Sequence, residues 1–209
     1  VSGENYVIES TSVGSEAEIQ NSIQTEGSSF IKLSGDTTIQ ESLHVSGKSD
    51  VTLDLNASTL YLASENANFE IVPGGSLTIL NGEIAFVDEI SAKPENLIVS
   101  SGGELTLNNV TASGLVCAVR IEDENAEGLD SRVRISNCAL ETSDVSMMVR
   151  GNATASGRKS EVVIENSSIQ STDYVAIMGN GNSGIEGCWG TSISIIGSTV
   201  TGKWGGVYH

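Results

Sequence analysis

The sequence is poor in positive charge, in long apolar runs, in cysteine and in helix-start signals, and each shortage excludes something. Ten Lys and Arg stand against 27 Asp and Glu in 209 residues, a formal charge of −17. Phosphate backbones are held by clustered cations, so a field of this sign repels nucleic acid and anionic lipid within a Debye length. No apolar stretch reaches the roughly 18 residues that a membrane helix requires, so membrane insertion is not expected of this segment. The start, Val1-Ser2-Gly3-Glu4, has neither the basic nor the apolar region of an export signal. Three cysteines, Cys117, Cys138 and Cys188, form no C-x-x-C box, and their odd number leaves at least one thiol unpaired within the chain. Cys117 alternates with Leu115, Val119 and Ile121, which reads as a small buried hydrophobe rather than a disulfide partner. His44 and His209 read as surface residues.

Low charge density does not mean disorder here. Apolar residues fall in short, evenly spread clusters such as Leu115-Val116-Cys117-Ala118-Val119, which a disordered acidic chain lacks. One pattern recurs: apolar, any, apolar, any, Asn, then two residues and a further small or apolar one. It reads Leu77-Thr78-Ile79-Leu80-Asn81, Leu105-Thr106-Leu107-Asn108-Asn109, Val133-Arg134-Ile135-Ser136-Asn137 and Val162-Val163-Ile164-Glu165-Asn166, and a fifth copy, Ile193-Ser194-Ile195-Ile196-Gly197, has Gly in the last place. From Asn81 through Asn109, Asn137 and Asn166 to Gly197 the marked position returns at a nearly constant step, lengthening slightly in the last two copies. A strand pattern repeated at such a period is a solenoid. Asn and Gly are the residues that best tolerate a left-handed backbone, so Asn81, Asn109, Asn137, Asn166 and Gly197 are expected to form a ladder of tight turns along one edge.

Second strands that close each coil are expected at 96–100, 115–121, 147–150, 174–178 and 206–208. A single helix is expected, over 15–27, from a capping box (Ser15, Glu18), the apolar pair Ile19 and Ile23 and a Gly stop. It would cover the open end of the first coil. The expected fold is all-β: a right-handed parallel β-helix over 28–209, preceded by an N-terminal segment, 1–27, that carries the capping helix. Trp204-Gly205-Gly206-Val207-Tyr208-His209 reads as a strand just beginning, which implies a truncated C-terminal end and an uncapped coil open to end-to-end contacts.

The segments Ile31-Lys32-Leu33-Ser34-Gly35-Asp36-Thr37-Thr38-Ile39 and Val51-Thr52-Leu53-Asp54-Leu55-Asn56-Ala57-Ser58-Thr59-Leu60 follow the helix in an order that resembles the entry module of secreted and cell-surface parallel β-helix proteins of bacteria, in the pectate-lyase-like superfamily. Ala57 stands where that family generally has Gly. The resemblance spans nearly the whole chain and implies a secreted or cell-surface location. The superfamily holds polysaccharide lyases and hydrolases, phage tailspikes and adhesin-like surface proteins, so fold alone does not choose among them.

Candidate chemistry is sparse. The outward column Thr78, Thr106, Arg134, Val163, Ser194 carries no paired acids, and the Asn-Thr-Asp, Asp-Asp and Gly-His-Gly signatures of the hydrolase branch do not occur. Arg120 and Arg150 each end a second strand and stand about one period apart, which would stack them in neighbouring coils as a ligand-binding spot near Arg132 and Arg134; the alternative is pairing with Glu122, Glu141 or Glu161. Asp123, Glu124, Glu127 and Asp130 lie in a dense run of carboxylates that begins at Glu122 and are candidate Ca²⁺ ligands, though their spacing matches no known Ca²⁺ repeat and also suits a solvated loop. No other cofactor is implied. Trp189, Trp204, Tyr174 and Tyr208 either stack on sugar rings or pack under loops. The functional expectation is a non-catalytic surface module, adhesin-like or structural, with a glycan or host surface protein as partner. The alternative is a carbohydrate-active enzyme of the same superfamily.

Overall fold

The computed structural model describes residues 10–87, 90, 92–122, 129–150, 160–179 and 191–208, with Arg150 described by its backbone alone. The chain is a parallel β-solenoid whose coils have three faces. The first face runs through Thr11–Val13, Gly27–Leu33, Ser49–Asp54, the starts of Ser76–Phe86 and Glu104–Leu115, then Arg132–Ser136, Ser160–Glu165 and Thr191–Ile196, each parallel to the next. The second face comprises Thr37–Ile39, Thr59–Leu62, the ends of the two long strands, Ala139–Thr142, Ser168–Ser171 and Thr199–Gly202. The third is a seven-stranded sheet from Leu43–Val45 through Phe69–Ile71, Asn96–Ser100, Cys117–Glu122, Met147–Arg150 and Val175–Met178 to Gly205–Tyr208.

Alternation explains the stacking. On the first face Leu53, Ile79, Leu107, Ile135 and Ile164 lie in register and are fully or almost fully buried, while the intervening residues face outward. The third face adds Phe69, Ile98, Val119, Met147 and Ile177 to the same core. Each buried Leu, Ile or Val contributes about 1.5–3 kcal/mol by leaving water, and a one-residue slip would turn the whole column outward.

The corner between the first and second faces is a left-handed turn from Asn81 onward. Asn81, Asn109, Asn137, Asn166 and Gly197 have φ between 49° and 58°. Asn81 Nδ2 donates to Asp54 Oδ1 at 3.2 Å, Asn109 Nδ2 to Asn81 Oδ1 at 3.1 Å, and Asn137 Nδ2 to the neighbouring Asn108 Oδ1 at 3.0 Å. A Cβ at position 197 would sit 2.9 Å from Asn166 Oδ1, so Gly leaves room for that amide. The next residue points inward, and its polar versions satisfy backbone groups. Cys138 N–H donates to Ser167 Oγ and Ser167 N–H to Ser198 Oγ, both at 3.0 Å.

The earlier coil differs. Asp54 pairs with Leu80 and Thr59 with Glu83, so residues 55–58 span a corner that 81–82 span in the next coil. Both Asn56 (φ 56°) and Ala57 (φ 61°) are left-handed there. Ala57 is a strained position, because an L side chain in that region costs about 1–2 kcal/mol.

The helix is Glu16–Ile23, shorter than the expected 15–27, with Ser15 as N-cap. Ile19 and Ile23 are fully buried under the first coil. The solenoid begins before the helix: Thr11–Val13, inside the segment assigned from sequence only to a cap, pairs in parallel with Ile31–Leu33. So brief an apolar alternation carries too little pattern to be read as a strand. A second difference lies at 115–121, where Leu115 ends a strand of the second face and Cys117–Glu122 forms the third.

Candidate functional site

Arg120 and Glu122 project from the same side of one strand of the third face. Arg120 Nε donates to Glu122 Oε1 at 2.6 Å, and both side chains are about a quarter to a third exposed (24% and 33%). The expected stacking of Arg120 on Arg150 does not occur. Arg120 is in register with Met148, and Arg150 with Glu122, because the third-face step between these coils is slightly shorter than the separation of the two arginines. Arg132 and Arg134 are on the first face, so they are not neighbours of Arg120 in a common basic spot. There Arg132 Nη1 meets Glu104 Oε1 at 2.8 Å and Arg134 approaches Glu165 at 3.9 Å, both pairs open to solvent. Exposed pairs of this kind contribute up to about 1 kcal/mol.

Of the candidate Ca²⁺ ligands, Asp123, Glu124 and Glu127 lie outside the described residues. Asp130 lines a depression on the first face with Asp50, Glu104 and Arg132, and its Oδ1 is buried with no hydrogen-bond partner among the described residues. Among the described residues no group of three or more His, Cys, Asp or Glu is placed to hold a metal ion.

The cysteines are enclosed. Cys117 and Cys138 are buried free thiols, and Cys188 lies outside the described residues. Burial, reinforced by the negative charge of Asp144, pushes the Cys117 thiol up to about 12, and burial raises that of Cys138 as well. Thiols held in the protonated form are poor nucleophiles.

Two of the four aromatic candidates, Tyr174 and Trp204, meet at the corner between the second and third faces of the last two coils. The Tyr174 and Trp204 ring centroids are 5.4 Å apart with the planes tilted by 34°. Trp204 is 71% exposed. Its backbone N–H donates to Tyr174 O, which fixes the corner, and Lys203 Nζ lies 3.5 Å from Asp173 Oδ1 beside the rings. The exposed indole of Trp204, flanked by a carboxylate and an ammonium group, is suited to a ligand with one apolar face and hydroxyls at its edge. Sequence reasoning missed this pairing, although a signal was present: Tyr174 and Trp204 stand close to one period apart. Tyr208, the fourth aromatic candidate, lies on the outward column of the third face, in register with Met178. Trp189 lies outside the described residues.

No family model, no curated protein and no solved structure matches this chain. Among the described residues no helix is long and apolar enough to cross a membrane.

Proposed function

We propose that this chain is a non-catalytic surface module of an exported bacterial protein, akin to the adhesin-like members of the pectate-lyase-like superfamily, and that it binds glycan through its aromatic corner. The observation that carries the reading is the exposed Trp204 packed against Tyr174 on a frame that the backbone ladder keeps rigid. Aromatic residues make up 4% of the chain, and two of them, Trp204 and Tyr174, meet at this corner as a rigid amphipathic surface of the kind that stacks on a sugar ring. Net charge selects among ligands: at −17 the chain repels polyuronates, so a neutral glycan is the favoured class.

The test is a titration of the chain with neutral oligosaccharides followed by tryptophan fluorescence and calorimetry. Binding that is lost in Trp204→Ala and weakened in Tyr174→Ala supports the reading. Absence of binding across neutral, uronate and host-protein panels overturns it.

One observation favours the enzyme alternative. Glu104, Arg132, Arg134 and Glu161 line a depression of about 120 Å³ on the first face, where acids and bases converge. Incubation with pectins, other uronate polymers and neutral glycans, with and without Ca²⁺, separates the two: unsaturated products or new reducing ends that vanish in Arg132→Ala would establish catalysis.

A further inference from the structure

On the second face the outward residues Glu83, Thr111, Ala139 and Ser168 stand in register from coil to coil, while Ile84, Ala112, Leu140 and Ile169 beside them point into the core. Two residues further along their strands, Glu141 and Gln170 pair in a second outward column. Ala139 is the smallest side chain here, and the longer Glu83, Glu141 and Gln170 around it leave a hollow of about 250 Å³. A bulge shapes one rim: the register with Ala139–Thr142 shifts between Ala112 and Leu115, where Gly114 has a φ of 68° and Ser113 lines the hollow. The column continues in both directions, to Thr59 before Glu83 and to Thr199 after Ser168, so the hollow belongs to interior coils.

Its polar groups are unspent. Among the described residues the side chains of Glu83, Thr111, Ser113, Glu141, Ser168 and Gln170 form no hydrogen bond or ion pair. Acids of the first face differ, since Glu104 has Arg132 and Glu165 has Arg134. The cation beside the bulge is committed elsewhere: Lys93 Nζ donates to Gly114 O at 2.7 Å and lies 4.6 Å from the centroid of the Phe86 ring.

Two carboxylates without a cation thus flank a hollow that contains a methyl group, in a chain of net charge −17. The complementary ligand is cationic with an aliphatic body. Two coil steps and two residues along the strand put the Glu83 and Glu141 backbones about 12 Å apart, a separation that a ligand with an ammonium group at each end spans. We propose that this hollow binds a linear aliphatic polyamine. One terminal ammonium group meets Glu83 and the other meets Glu141, where the Gln170 amide oxygen accepts as well. The methylene chain crosses Ala139, and the hydroxyls of Thr111 and Ser113, on the coil between the two acids, accept from an internal nitrogen. No aromatic ring lines the hollow, so the inference stands independently of the glycan reading at the Tyr174–Trp204 corner.

The experiment is calorimetric titration of the 209-residue chain with spermidine at fixed ionic strength. The expected result is one saturable site per chain, with butylamine, which has a single ammonium group, binding more weakly. Glu83→Gln and, separately, Glu141→Gln should each weaken the site by about fivefold. Ala139→Gln fills the hollow without changing charge and should abolish it, while circular dichroism keeps the strand signal because this position faces outward. Glu41→Gln, which removes a carboxylate elsewhere, and Trp204→Ala should leave binding intact. Uptake that never saturates, equal losses in Glu41→Gln and Glu83→Gln, unchanged binding in Ala139→Gln, butylamine binding as tightly as spermidine, or loss in Trp204→Ala would each overturn the proposal.

Discussion

Gln20 is joined to the main chain of His44 by a pair of hydrogen bonds, its Nε2 donating to His44 O at 3.3 Å and its Oε1 accepting from His44 N–H at 3.1 Å. A side-chain amide thereby stands in for the peptide group of a missing coil beneath Leu43–Val45, which blunts an edge that would otherwise pair with another chain. Removing it with Gln20→Ala should lower stability by about 1 kcal/mol. Urea denaturation would register the loss as a lower midpoint with an unchanged slope.

Glu18 anchors the same helix through its N-terminus. The Gly14 N–H, 2.8 Å from Glu18 Oε2, and then the Ser15 hydroxyl hold this carboxyl below its usual range. A depressed folded value means that the contribution is present at neutral pH and disappears as the pH falls through that value. In Glu18→Gln the acid limb of the stability–pH curve should flatten, as thermal melts from pH 7 downward would show.

Ala57 offers a stabilising substitution. Its φ of 61° suits glycine, and relief of the strain should make Ala57→Gly more stable by about 1 kcal/mol despite the added freedom of the unfolded chain. A lower melting temperature for this variant would show that Ala57 is not strained.

At the ladder, Asn109→Ala should cost about 1–2 kcal/mol, since alanine in the left-handed region is strained and the bond to Asn81 is lost. Asn109→Gly keeps the turn and should cost less. Equal losses for the two would mean that backbone strain plays no part.

Cys117 gives a prediction on the alkaline side. Its folded value of about 12 lies above that of a free thiol, about 8.5, so the unfolded chain releases the proton first. Stability from this group is complete below the unfolded value and is lost as the pH climbs toward the folded one. Cys117→Ala should therefore show a shallower decline than the parent above about pH 9. A thiol reagent should label Cys117 only when the chain is unfolded.

The sequence by itself determined the solenoid, because two local facts repeat at one period. Alternating apolar residues set which side of each strand is buried, and an Asn or Gly at a fixed distance marks a turn that other residues enter at a cost. Those facts suffice for parallel strands, for the ladder positions and for most third-face strands, including Asn96–Ser100 and Met147–Arg150. Tertiary structure alone decided what the outside of each coil does. Arg120 faces Met148 rather than Arg150, and Arg132 and Arg134 lie on a different face, because register between coils is set by hydrogen bonds and core packing over each coil's own length. The Gln20–His44 clasp and the serine hydroxyls under the corner were likewise invisible in the sequence, and the Tyr174–Trp204 pair showed there only as a separation close to one period. Each joins residues from different coils or from the helix and a coil, and their side chains meet only once the backbone ladder has fixed the stacking distance and register.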